Sequence, residues 1–341
     1  MMKKILALSI SAACIATSAQ AATVYQDGDS KVTIGGRLAV KAQYTESTKD
    51  TSSTTELENA SSRINFGFEH RMTQNWLAGA KAEWGYDALS SGKQEFSNRL
   101  GNLYFANQDA GLITVGKQWS TYYDITGWTD VFWIYGGEAS GTYDGRDGHG
   151  GSGTGRADDA ISYRNSFNGL NVAAQYQFED GSSEGERRYG LQGALSYELG
   201  LGLSLGGAYN LTKYHQESDD KTWTLGAKYD SDMFYLAGQY GQYRNHTNIN
   251  GNLTDVAKKA YGYELVAAYL AEGGLYQVYG GYNHLADDNS SARYSYGLVG
   301  AAWTPGNMVF SAEYKLGVTN KDQNGANNGA DQVALLARYN F

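Results

Sequence analysis

Val333-Ala334-Leu335-Leu336-Ala337-Arg338-Tyr339-Asn340-Phe341 is the stretch whose reading decides the fold. Side chains of a strand alternate between its two faces. Val333, Leu335, Ala337, Tyr339 and Phe341 therefore share one face, while Ala334, Arg338 and Asn340 share the other. A strand of this kind needs partners on both edges. In a soluble protein its apolar face would meet a core, but similar strands fill the chain and leave nothing over to cover them. The economical arrangement is a closed barrel, with lipid outside and water inside.

The composition agrees. The chain has 341 residues, among them 44 Gly, 28 Tyr and a single Pro, Pro305. Scarce proline suits ladders in which each N–H is paired, and abundant Gly and Tyr suit close strand packing and interfacial aromatic girdles. After residue 22 no apolar run approaches the roughly 20 residues that a membrane helix needs. Residues 1–21 read as a secretory leader: Lys3 and Lys4, an apolar segment from Ile5 to Ile15, then the small-x-small site Ala19-Gln20-Ala21. The expected domains are thus a leader, 1–21, and one barrel, 22–341. Cys14 is the only cysteine, so the mature chain would carry no disulfide. Removing the two leader lysines takes the net charge from −9 to −11, which argues against nucleic acid as a partner and favours weak attraction of cations to a channel mouth.

Period-two alternation recurs along the chain. Leu170, Val172, Ala174, Tyr176 and Phe178 oppose Asn171, Gln175, Gln177 and Glu179; Leu203, Leu205, Gly207 and Tyr209 oppose Ser204, Ala208 and Asn210. Such apolar stripes often begin and end on Tyr, Trp or Phe, as a lipid-facing stripe with two aromatic belts would; a soluble sheet has less reason to place rings at both ends. Tight-turn signals occur at 72–75, 108–111, 166–169, Gly200, 229–232, 271–274 and 304–307. Longer polar stretches occupy 46–60, 87–97, 119–156, 180–188, 213–221, 245–258, 286–292 and 319–330. Seven turns and eight long connections predict an all-β fold: a 16-stranded antiparallel transmembrane β-barrel with both termini on the periplasmic side.

Residues 119–156 are too long for a passive hairpin. Phe132, Trp128, Trp133 and Tyr135 give this third extracellular loop packing anchors, and Asp124, Asp130, Glu138, Asp144 and Asp147 give it negative charge. A sixteen-stranded barrel is wide enough for an aqueous channel, so the loop is expected to fold inward and narrow it. Strand parity puts Arg63 with Asn65, Gly67 and Glu69, opposite Ile64, Phe66 and Phe68. It puts Arg37 and Lys41 opposite Ile34, Leu38 and Val40. A cation facing lipid at the midplane costs about 2–4 kcal/mol, so these point inward. Arg99 and Arg156 begin other strands.

In Lys31-Val32-Thr33-Ile34-Gly35-Gly36-Arg37, Ser62-Arg63-Ile64-Asn65-Phe66-Gly67-Phe68, Asn98-Arg99-Leu100, Thr129-Asp130, Ile161-Ser162-Tyr163-Arg164-Asn165-Ser166 and the ending Ala337-Arg338-Tyr339-Asn340-Phe341, the chain resembles a general diffusion porin of the Gram-negative outer membrane, of the OmpC, OmpF and OmpU type. The resemblance covers essentially the whole chain. It implies a homotrimer of barrels in outer-membrane lipid and lipopolysaccharide, inserted by the barrel-assembly machinery with Phe341 as assembly signal, and passing ions and small hydrophilic solutes. It maps the family's basic cluster onto Arg37, Arg63, Arg99 and Arg156, and its loop acid onto Asp130. Where many relatives carry Pro-Glu-Phe-Gly-Gly, this chain reads Trp133-Ile134-Tyr135-Gly136-Gly137. Ile134 replaces the usual second acid, and Glu138 is the candidate substitute.

Other chemistry finds little footing. His70, His149, His215, His246 and His284 show no metal-ligand spacing. Gly150 to Gly155 lacks the Lys of a phosphate loop. No cofactor and no catalytic constellation is expected, so the chain does not read as an enzyme. The rival readings are an adhesin or receptor acting through its loops, a more solute-specific channel, and a soluble lectin-like protein. A sugar channel would want a track of lumenal aromatics, whereas lumenal parity gives mostly Ser, Gln, Glu, Lys and Gly.

Overall fold

The computed structural model describes residues 21–143, 151–249 and 256–341. The expected leader up to Gln20, together with Asp144, Asp147 and His149 of the third loop, lies outside the described residues.

Among these residues a single antiparallel sheet contains nineteen strand segments: β1 (Ala22–Asp27), β2 (Ser30–Thr45), β3 (Thr54–Asn59), β4 (Arg63–Arg71), β5 (Trp76–Tyr86), β6 (Phe96–Asn107), β7 (Gly111–Trp119), β8 (Arg156–Ala157), β9 (Ala160–Phe167), β10 (Leu170–Gln177), β11 (Arg187–Gly200), β12 (Leu203–Tyr214), β13 (Asp220–Asp230), β14 (Phe234–Arg244), β15 (Ala260–Ala271), β16 (Tyr276–Asp287), β17 (Arg293–Trp303), β18 (Met308–Lys321) and β19 (Gln332–Asn340). Three pairs of segments lie end to end as single staves. β1 and β19 share one edge of β2, β3 and β4 share its other edge, and β8 and β9 share the far edge of β7. The result is a closed barrel of sixteen strands.

Closure happens on β2. Thr45 to Arg37 pair with Gln332 to Asn340, and Ile34 to Ser30 pair with β1. Between them, Phe341 donates its N–H to the Gly36 carbonyl at 3.1 Å, and the Gly36 N–H donates to the Phe341 carbonyl at 2.8 Å. The ladder is thereby continuous across the seam, as lipid requires of each backbone polar group. Gly36 permits the approach: a Cβ there would collide with the Arg63 carbonyl and with the Phe341 ring.

All seven tight turns stand where the turn residues place them, between β4 and β5, β6 and β7, β9 and β10, β11 and β12, β13 and β14, β15 and β16, and β17 and β18. Two features differ from the sequence reading. The 46–60 connection is not wholly a loop, because Thr54 to Asn59 extend the ladder beside residues 40–45. And a strand precedes Lys31: β1 folds back through a turn in which Asp27 accepts the Ser30 N–H at 3.2 Å. Both segments are short and exposed, and neither carries a hydrophobic stripe to announce it: β1 sets Val24 next to Tyr25, on opposite faces, and β3 has Leu57 among polar residues.

The two faces are divided as the alternation demands. Leu225, Val278 and Leu335 point outward and are 60%, 62% and 59% exposed, while Ala334 and Gln177, on inward faces, are 0% exposed. Trp303 stacks on Phe310 and Tyr339 on Phe341 towards the tight-turn end of the outer surface. No helix among the described residues is long and apolar enough to cross a membrane; strands do the crossing.

Because the seam needs both Gly36 and the aromatic terminus, Gly36→Val and deletion of Phe341 are each expected to lower the yield of folded, heat-resistant barrel in outer membranes, read by gel mobility with and without boiling. Wild-type levels of folded protein for either variant would contradict this account of closure.

Candidate functional site

The third loop leaves β7 at Trp119 and turns into the barrel. Ser120 Oγ accepts the Tyr123 N–H at 3.0 Å and starts a single helical turn, α1 (Tyr123–Thr126). Tyr122 and Ile125 from this segment are buried against Ala194 on β11 and Ala208 on β12. The barrel wall is notched to receive it. Gly206 and Gly226 face each other in register, and a Cβ at Gly206 would lie 2.6 Å from Ile125 Cδ1. Further on, a Cβ at Gly281 would lie 2.5 Å from the Phe132 ring, and one at Gly262 would collide with the Ala139 carbonyl. These inward-facing glycines form a groove along the wall from β12 to β16.

Buried carboxylates then fasten the loop. Glu313 on β18 accepts three consecutive backbone N–H groups, from Trp133 at 2.9 Å, Ile134 at 3.1 Å and Tyr135 at 2.9 Å, and the Tyr279 hydroxyl at 2.9 Å. Glu264 on β15 accepts the Ala139 N–H at 2.8 Å, Gln239 Nε2 at 2.9 Å and the Thr129 hydroxyl. Each such bond contributes on the order of 1 kcal/mol, and a buried donor left without its acceptor costs about 1–3 kcal/mol. Tyr243 donates to the Ala139 carbonyl at 2.7 Å, His246 Nε2 lies 2.7 Å from the Gly141 carbonyl, and Arg164 grips Asp124 through two nitrogens at 2.8 and 3.2 Å. Asp124 is therefore a tether rather than a free lumenal charge.

The opposite wall carries the guanidiniums. Arg37 on β2 stands directly across from Arg63 on β4. Arg99 lies on β6 and Arg156 on β8, and each member of this group feels the charge of at least one other. The structure adds two residues that the sequence reading left out. Glu83 on β5 sits between Arg63 and Arg99 and accepts from them at 3.1 and 2.8 Å. Arg338 on β19 joins the cluster and holds its guanidinium 4.5 Å over the Trp133 ring. Inward parity marks both positions; nothing in the sequence says that Glu83 neutralises part of the wall.

The loop acids divide. Asp130 receives the hydroxyls of Tyr123 at 2.9 Å and Tyr143 at 3.1 Å, and the charge of Arg156 reaches both tyrosines. Glu138 is drawn away from the arginines: it pairs with Lys315 Nζ at 2.8 Å and accepts from the Tyr294 hydroxyl at 3.3 Å. Ile134, in place of a second acid, packs with Trp133 on the apolar patch of Ala39, Val309 and Leu336. The wall side thus carries five arginines and one carboxylate, and the loop side one tyrosine-bound aspartate.

A closed sixteen-stranded barrel with an inward third loop opposite an arginine wall decides the family. Residues 7–341 match the Gram-negative porins. The chain belongs to that family. Its relatives include outer membrane porin F of Xenorhabdus nematophila, 30% identical with 79% of each chain covered, and outer membrane porin C of Enterobacter cloacae, 30% identical with 80% of this chain and 78% of the relative covered. Among solved structures the porin resembles Salmonella typhi OmpF in complex with daunomycin, at TM-score 0.78 and 21% identity over 94% of this chain and 100% of that one. It also resembles an anion-selective porin from Comamonas acidovorans, at TM-score 0.73 and 19% identity over 92% and 100%. At these identities the structures speak for the fold. The porin is an outer-membrane protein.

Replacing Glu313 by Leu leaves three N–H groups and a tyrosine hydroxyl without their acceptor, a loss of about 3 kcal/mol or more at the loop seat. Limited proteolysis of the refolded variant should cut the third loop faster than in the parent, and its open-channel current should be noisier. A loop as protected as the parent's would mean that Glu313 does not hold it.

Proposed function

We propose that this porin is a general diffusion channel, passing ions and small hydrophilic solutes with a weak preference for cations. The observation that supports the reading is the infolded loop set opposite an arginine wall, inside a closed barrel. Arg37, Arg63, Arg99 and Arg156 line one side of the constriction, and Asp130 and Glu138 belong to the loop side, with Glu138 acting through Lys315. Nothing in this arrangement calls for bond chemistry; it works as a pore rather than as an enzyme.

The mechanism is electrostatic. Guanidiniums on one side and loop oxygens on the other set a transverse field across a wet gap, and water orders along it. A polar solute can align its own dipole and replace that water; an apolar one loses the water without compensation. Charged linings of this type are a recognised basis of pore selectivity. The net charge of −11 over residues 22–341 favours cations at the mouths. The arginine wall opposes that preference in the narrow zone, and Ile134 removes an acid that would have offset it, so the selectivity is weak.

The same reading includes a cleaved leader over residues 1–21, a homotrimer seated among lipopolysaccharide, and Phe341 as the residue presented to the barrel-assembly machinery. The family and its aromatic terminus support these points.

Arg63→Ala combined with Arg99→Ala leaves Glu83 as a bare lumenal carboxylate. At ~10 Å in water each lost positive charge is worth about 0.4 kcal/mol, so the pair raises the local cation concentration roughly fourfold before screening. The reversal potential of the purified porin in a bilayer under a potassium chloride gradient should move in the cation-selective direction. An unchanged reversal potential would remove these arginines from the selectivity zone, and silence of the parent protein would remove the pore.

A further inference from the structure

Most of the inward-facing surface is polar, with Gln175, Gln177, Gln192, Asn210, Thr212, Thr222 and Thr224 as examples. Apolar residues interrupt it where the third loop seats, as at Ala39, Val309 and Leu336, and in a further patch. On the tight-turn side of the arginine wall, three rows of residues in register run across β4, β5, β6 and β7. The row nearest the turns places Leu77 beside Ala106 and Leu112. The middle row places Glu69 beside Gly79, Tyr104 and Thr114. The row nearest the constriction places Lys81 beside Asn102. All of these face inward, since their neighbours Leu103 and Phe105 are the outward, exposed residues of β6.

Tyr104 does not stand up into the lumen. It leans across Gly79, where any Cβ would collide with its ring, and its hydroxyl donates to Glu69 Oε1 at 3.1 Å. Ring and wall are therefore locked together, and a flat aromatic surface lies along the barrel beside the leucines. The depression so formed is a cavity of about 270 Å³, with Leu77, Ala106 and Leu112 towards the tight turns, Lys81 and Asn102 above them, and Leu100, level with Glu83, higher still; Glu69 and Arg164 also line it. Cavities for drug-sized ligands run to roughly 300–1,000 Å³; this one has room for one ring and a short tail. Leu77, Ala106 and Leu112 lie on its periplasmic side, with Arg71 in register beside Leu77 and Arg164, already held by Asp124, beside Leu112; Lys81 lies on the constriction side, with Arg63 and Arg99 above.

We propose that this shelf is a solute-holding subsite for small aromatic carboxylates. The ring lies on Tyr104 and the leucines, and the carboxylate points up the pore towards Lys81 and the arginine wall. An aromatic face prefers an offset or edge-on ring partner, and apolar side chains facing a wet lumen gain from any apolar body that covers them. The subsite rests on the channel reading, and deepens it: it selects among the solutes that reach the periplasmic side of the constriction.

The test compares 3-phenylpropionate with butyrate, which has the same head group and no ring. Each is added to the periplasmic side of single channels of the purified porin, and binding to the porin in detergent is measured separately by equilibrium dialysis. Phenylpropionate should produce resolved current blockages and saturable binding, and butyrate neither. Tyr104→Ala should weaken both effects roughly tenfold, and Leu112→Gln, which keeps Tyr104 and its bond to Glu69, should weaken them as well, with heat-modifiable gel mobility verifying that each barrel is folded. Equal behaviour of the two acids, or full blockage in folded Leu112→Gln, would overturn the subsite while leaving the pore intact. Absence of any ion current with saturable phenylpropionate binding retained would instead sink the pore and leave the subsite standing.

Discussion

The seam on β2 is the constraint on which the rest depends. A membrane offers no water to an unpaired backbone group, so a sheet can cross it only when its first and last strands meet. Here both ends of the chain's ladder rest on the same strand, and the reciprocal bonds between Gly36 and Phe341 remove the gap between them. Once the cylinder is closed, each side chain has one of two solvents, and the period-two pattern becomes obligatory rather than decorative. Aliphatic residues outside and amides, hydroxyls and charges inside follow from that single requirement.

A sixteen-stranded cylinder would be an open pipe without its third loop. The wall prepares for the loop by subtraction as much as by attraction. Gly206, Gly226, Gly262 and Gly281 leave room for Ile125, Ala139 and Phe132 to lie against the backbone, and Glu264 and Glu313 supply acceptors for loop N–H groups that turned away from water. Burying a carboxylate is costly unless its lone pairs are satisfied; both are satisfied here by the segment they hold. The loop reaches β2 at Ala39 and Gln43, and across from it stands the wall that carries Arg37, Arg63, Arg99 and Arg156.

Much of this was legible in the sequence, for a physical reason. Tight turns carry Gly, Asn, Asp or Pro where the backbone demands them, and lipid enforces alternation, so staves and turns could be read locally. Arg37 and Arg63 could be assigned to the lumen because a lipid-facing cation at mid-depth is expensive. What could not be read was pairing between distant positions. Glu138 finds Lys315, 177 residues away, and Glu83 is held between Arg63 and Arg99 only because β4, β5 and β6 align in one register. The groove glycines are silent for a different reason: absence of a side chain leaves no pattern. β1 and β3 escaped because, short and exposed, they carry no stripe.

The claim that two solvents act on alternate residues can be measured directly along β10, where Val172, Ala174 and Tyr176 face outward and Asn171 and Ala173 face in. Single nitroxide labels at these five positions of the reconstituted porin would be relaxed by oxygen, which concentrates in lipid, and by a water-soluble nickel complex. Oxygen accessibility should peak at 172, 174 and 176 and nickel accessibility at 171, out of phase by one residue, while 173, packed against the Tyr122–Ile125 segment of the third loop, should be shielded from both. Nickel reaching all five positions alike would contradict a barrel with lipid outside and water within.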